Sequence, residues 1–211
     1  MPKEANRCKH KLLKLARDGE EYLINSNCNL MYELYIVMNI TILYDYDRVF
    51  EKYLTNYVKS EFTALEMNNQ MALIHRLLEH KSNKCISVFV KKYGYDLLLK
   101  EAVFLNNLKF SEYCLKNGAS PNSTSFTEPL LFLANYEIFC LLIDFGADVD
   151  VKNFAGRTLC EKLFLTGGDI NKSIKVLESG YKVPKHLLEE NATYANTDRV
   201  TEVAKRMKLI E

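Results

Sequence analysis

The chain has 211 residues, 48% of them hydrophobic. That apolar mass supports a substantial core and excludes a globally disordered chain. Lys and Arg number 28 against 27 Asp and Glu, and this balance argues against a generally basic nucleic-acid binder.

Met1–Gly19 is charged and has no apolar central run, so it does not read as a secretory leader. Within it, Lys9–Arg17 is a short basic-apolar segment stopped at Asp18-Gly19, and Asn29 is placed to cap a following helix. Leu30–Tyr44 is the most apolar run. It falls short of the roughly 20 residues of a membrane span and predicts a buried core helix. Asp45 or Asp47 is placed to cap the next helix, whose Val49, Tyr53, Leu54 and Tyr57 recur at helical spacing up to about Lys59. Ser60–Lys81 predicts helix in two pieces around Asn68-Asn69, and Lys84–Tyr93 predicts another helix before Gly94.

From Leu97 onward the predicted helices come in pairs. Leu97–Leu105 pairs with Leu108–Asn117 and stops at Gly118. Leu130–Ala134 pairs with Glu137–Phe145 and stops at Gly146; Thr158–Leu165 pairs with Asn171–Ser179 and stops at Gly180. Glycine just past a helix end takes the left-handed backbone that other residues resist. Pro184–Glu190 and Asp198–Leu209 read as closing helices.

These pairs carry recurring words. Leu141-Leu142-Ile143-Asp144-Phe145-Gly146-Ala147-Asp148-Val149-Asp150 is followed by Asn153-Phe154-Ala155-Gly156-Arg157-Thr158-Leu159. Asn117-Gly118-Ala119-Ser120-Pro121-Asn122 is a fainter copy of the first word, and Thr127-Glu128-Pro129-Leu130-Leu131 of the second. Over Leu97–Val183 the chain resembles ankyrin repeats, each a β-turn and two helices. The resemblance implies an all-α ankyrin-repeat solenoid of stacked helix pairs. Residues 1–60 would be divergent N-terminal helices, 61–183 ankyrin-like repeats and 184–211 a C-terminal helical cap. Two departures stand out. The family's Thr-Pro-Leu-His word lacks its His, with Leu131 and Cys160 near that place, so its usual inter-repeat hydrogen bonding is not expected. Lys172 and Ser173 replace apolar residues of earlier copies, which fits the polar outer face of a terminal repeat.

Degenerate copies in an Asn-, Lys-, Ile- and Tyr-rich chain resemble viral ankyrin proteins, of the poxvirus host-range and insect-virus IκB-like kinds. That resemblance implies a non-enzymatic protein-binding module. It would bind and block a host innate-immune or signalling factor, with IκB-like inhibition of NF-κB/Rel as the sharpest version. It would act in the host cytoplasm or nucleus, as a monomer or homodimer, without cofactor, nucleic acid or membrane. A ubiquitin-ligase substrate adaptor is the alternative, although Val183–Glu211 resembles no F-box-like or SOCS-type segment clearly.

No catalytic or metal-binding pattern competes with this reading. The six cysteines form no C-x-x-C pair and read as buried thiols in a reducing compartment. Cys8 and His10 have no partner pair; His75 and His80 are five apart and miss the same helix face. Gly167-Gly168-Asp169 lacks the Lys-Ser/Thr of a phosphate loop, and Asp144, Asp148 and Asp150 do not follow a calcium loop. The candidates for partner binding are the polar repeat tips with one aromatic each: Asn122, Ser123, Thr124 and Phe126 in the first, Asp150, Lys152, Asn153 and Phe154 in the second. Tyr136, in the link between two helices, joins them. Either Phe126 and Phe154 face outward as binding anchors, or they tuck back into the stack.

Overall fold

A computed structural model describes residues 19–20, 31–59, 73–125, 128–165, 169–182, 184, 202 and 205. The chain divides into two compact units, Met1–Gly94 and Tyr95–Glu211. The sequence boundaries at 60 and 183 fall on residues outside the described set, as do Phe126 and nearly all of the two expected closing helices. Among the described residues the secondary structure is helical, with only two isolated β-bridges and no strand. The all-α expectation holds for them.

The first unit contains α1 (Met31–Leu43), α2 (Asp47–Lys59), a helical run over 73–79, and α3 (Asn83–Tyr93). Helix α1 packs on α2, and α2 on α3. The apolar run expected to be a core helix is one: Leu34, Val37, Met38 and Ile42 are buried. Arg76 ties the 73–79 run to α1 by hydrogen bonds to Asn39 and Tyr35. Asp45 does not cap the helix that follows it. Its carboxylate accepts from the Lys84 and Cys85 amides, at 3.0 Å each, so it caps α3 from across the unit. Ser82, at the N-cap position of α3, makes no side-chain cap, and its hydroxyl is turned to the Ile42 carbonyl. The first-turn amides of α3 are then open to an outside acceptor.

The second unit contains α4 (Asp96–Phe104), α5 (Leu108–Lys116), α6 (Leu130–Leu133) and α7 (Tyr136–Asp144). A wide π-helical turn at Glu161–Leu165 and α8 (Ile170–Glu178) complete it. Helix α4 packs on α5 and α6, α5 on α7, α7 on α8, and the π-helical turn on α8. The first helices of the first two pairs therefore lie against each other, and the second helices α5, α7 and α8 follow one another in a second row. Leu98 and Leu130 are buried in one layer; Cys114, Leu142 and Val176 are buried in the other.

Three of these helices share one construction. The side chains of Asn107, Asn135 and Asp169 accept from the first-turn amides of α5, α7 and α8. Each cap stands eleven residues before its glycine, Gly118, Gly146 or Gly180. Such caps satisfy amides that the helix itself cannot. Asn135→Ala is expected to lower stability by about 1 kcal/mol. A urea titration measures it, and Asn135→Asp, which keeps the acceptor, should recover most of the loss.

The stop at Gly146 is equally specific. Its φ is 84°. Its amide donates to the Ile143 carbonyl and that of Ala147 to the Leu142 carbonyl, both at 2.9 Å. This is the paired bonding of a Schellman motif. A Cβ added there would meet nothing within 4 Å. The cost of Gly146→Ala is therefore purely conformational, about 1–2 kcal/mol. Thermal unfolding should show that loss with an unchanged helical spectrum.

Lys172 and Ser173 do not form a polar outer face. Ser173 is only 1% exposed, in the register of buried Ser111, and each hydroxyl donates to a carbonyl four residues back. The half-buried Lys172 sends its ammonium to the Ala134 carbonyl at 2.7 Å, over the Phe139 ring. Lys172 thus faces the preceding pair, and Ser173 is buried against its own first turn. Burial lowers the Lys172 pKa from its ordinary value.

Candidate partner-binding surface

The best-defined exposed feature of the second unit is the hairpin Lys152–Thr158, closed by an antiparallel bridge between those two residues. Asn153 fixes its turn. The Asn153 side-chain oxygen accepts from the Ala155 and Arg157 amides, both at 3.0 Å, and its carbonyl accepts from Gly156 at 2.9 Å. Gly156 takes φ 76°, which lets the turn close. At the base of the hairpin, Thr158 and Glu161 cap each other reciprocally.

With the Asn153 side chain holding the inside of the turn, Phe154 points out. It is 74% exposed, the most of any described large apolar residue. The alternative in which Phe154 tucks back into the stack does not hold. Lys152 and Arg157, both exposed, flank it on the two arms of the hairpin. Arg157 was not among the expected contacts; its place opposite Asn153 in the hairpin was the available signal.

The first tip is built differently. Thr124 bridges to Pro129, and the Ser123 carbonyl accepts from the Leu130 amide. Glu128 links the two tips, accepting from Asn153 at 3.4 Å and pairing with Lys162 at 3.7 Å. Asn122 and Asp150, predicted as partner contacts, carry internal bonds. Asn122 accepts from the Asp148 amide, and Asp150 from the Tyr181 hydroxyl, each at 2.7 Å. One pair earlier, Asp96 accepts from the Ser120 amide at 2.7 Å. These three rungs join successive segments of the unit. Burial, then the bond to Asp150, raises the Tyr181 phenol above its ordinary range.

The nine expected contact residues are thus not one cluster. Asn122, Ser123, Thr124, Asp150, Lys152, Asn153 and Phe154 lie on the tip side, and Phe126 lies outside the described residues. Tyr136 begins α7, nine residues long, at the end opposite Gly146. At 1.5 Å per residue the helix separates it from the tips by about 13 Å.

Cys85, Cys114 and Cys160 are buried free thiols, as expected, whereas Cys140, read as buried in an apolar helix pattern, is only half-buried. Burial pushes Cys114 and Cys160 up to about 12, which leaves almost no thiolate at neutral pH. Among the described residues no group of three or more His, Cys, Asp or Glu is arranged to hold a metal ion. No described helix is long and apolar enough to cross a membrane. Comparison with protein-family models, curated proteins and solved structures gives no match to this chain.

Proposed function

We propose that this chain is a non-enzymatic protein–protein interaction module of the ankyrin type, which engages its partner through the Lys152–Thr158 hairpin. The observation that carries the proposal is Phe154, three-quarters exposed on a turn fixed by three hydrogen bonds. An aromatic already held in its binding position loses little freedom on association and makes an effective anchor. The ankyrin reading draws on the layered helix pairs, the Schellman glycines and the hairpin between pairs.

The sharper form of the proposal is a viral ankyrin protein that occludes a host innate-immune factor, with a Rel dimer as the first target to test. It rests on the resemblance of the repeat words. Purified chain titrated against a purified Rel-homology dimer is expected to bind, and cellular IκB should compete. Absence of binding removes the Rel version. Affinity purification from host cells tests the broader one, and it requires a reproducible partner whose recovery falls when Phe154 is changed to Glu. Recovery of cullin components with the same bait would instead mark a ligase adaptor.

A further inference from the structure

The second unit carries a further apolar surface on the edge away from the hairpins. Helix α4 ends at Phe104 and α5 begins at Leu108; α6 ends at Leu133 and α7 begins at Tyr136. Because α4 packs on α6 and α5 on α7, these four helix ends line one edge of the unit. That edge exposes Phe104, Leu105, Leu108, Leu133 and Tyr136, with Phe104 71% exposed. The turns themselves do not require such residues. Asn106 supplies the left-handed backbone at φ 54°, while Asn107 and Asn135 supply the caps. Large apolar side chains gathered where the turn chemistry asks only for asparagine mark a contact surface.

The charges on this edge select its occupant. Lys109 and Glu137 hold the second position of α5 and α7, each nine residues before its glycine. Both are exposed, and among the described residues neither takes an ion pair. A partner surface of one sign would gain at one of them and lose at the other. A second copy gains at both. A two-fold axis between α5 and α7 lays the apolar row of one copy on that of the other. Lys109 of each copy then meets Glu137 of the other, as an isologous interface requires. The net charge of +1 imposes almost no repulsion between copies.

We propose that the helix-turn edge of the second unit is a homodimer interface, with Phe104 and its apolar neighbours at the centre and two Lys109–Glu137 pairs at the rim. The hairpins are left free on both copies, so the dimer presents two Phe154 anchors.

Analytical ultracentrifugation of the full chain over a concentration series tests this. The unaltered protein should reach twice the chain mass in the tens of micromolar. Phe104→Glu should give only monomer. Lys109→Glu and Glu137→Lys each set like charges together and should weaken the dimer at least about ten-fold. The double exchange restores opposite charges and should return the dissociation constant to within about three-fold of the unaltered value. Phe154→Ala should leave it unmoved, which separates this interface from the hairpin. Circular dichroism checks that each variant folds; if Phe104→Glu does not, the charge-exchange series decides alone. A chain that stays monomeric at about 100 μM, well above the dissociation constant of a standard-sized interface, overturns the proposal. So does a double exchange no tighter than either single reversal.

Discussion

Phe139→Ala is expected to lower the unfolding free energy of the chain by about 3–5 kcal/mol. The Phe139 side chain is fully buried on α7, the helix that packs against both α5 and α8. Its removal leaves a cavity at the helix that joins those two neighbours. It also uncovers the Lys172 ammonium, which lies 5.4 Å from the ring centroid. Helix packing fixes the surrounding backbone, so collapse fills little of the cavity. Domains of this size are stable by only about 5–15 kcal/mol, so one such change brings the unit close to its unfolding threshold. Urea unfolding followed by circular dichroism reads the effect as a lowered midpoint. Phe139→Leu keeps most of the volume and should cost less than about 1.5 kcal/mol. A loss below 1 kcal/mol for the alanine variant would mean, on the usual large-to-small scale, that α7 is not the packing centre of the unit.

The second large effect is functional. Phe154→Ala should leave stability within about 0.5 kcal/mol, because the side chain is exposed and holds nothing in place. Affinity for the captured partner should fall by about 30-fold, the equivalent of roughly 2 kcal/mol at a binding anchor. Isothermal titration against that partner gives both sides of the comparison. Asn153→Ala provides a control of another kind. It keeps the anchor but removes the acceptor for the Ala155 and Arg157 amides, so the loss should be smaller and mainly entropic. Unchanged affinity in the Phe154 variant would shift the binding surface to the Thr124–Pro129 side of the tips.

The helix boundaries were largely legible in the sequence, because apolar spacing and a stopping glycine act within a few residues of each other. The predicted Leu108–Asn117 and Glu137–Phe145 appear as Leu108–Lys116 and Tyr136–Asp144. What escaped depended on distant groups. Asp45 looked like a local cap, but its acceptors are engaged by α3, 39 residues on. Lys172 and Ser173 looked like an outer face, because their polarity was visible and the Ala134 carbonyl facing Lys172 was not. The direction of Phe154 could not be read from its place in a tip. It was decided by the Asn153 side chain, which holds the inside of the turn. The caps at Asn107, Asn135 and Asp169 were readable in principle, since each stands eleven residues before a glycine, but only once the three copies are aligned on those glycines.

The rungs between successive segments have a consequence for how this chain tolerates sequence drift. At Ser120 and Asp148 the donor is a backbone amide, which every residue except proline retains. Replacing either side chain therefore leaves the spacing of the pairs unchanged. Exposed tip residues that hold no rung, such as Lys152 and Phe154, can be exchanged to follow a changing partner while the framework stays in place. The last rung differs, because its donor is the Tyr181 hydroxyl. There both partners are side chains, so an exchange at either end removes the link, whereas the earlier rungs are lost only at their acceptors, Asp96 and Asn122.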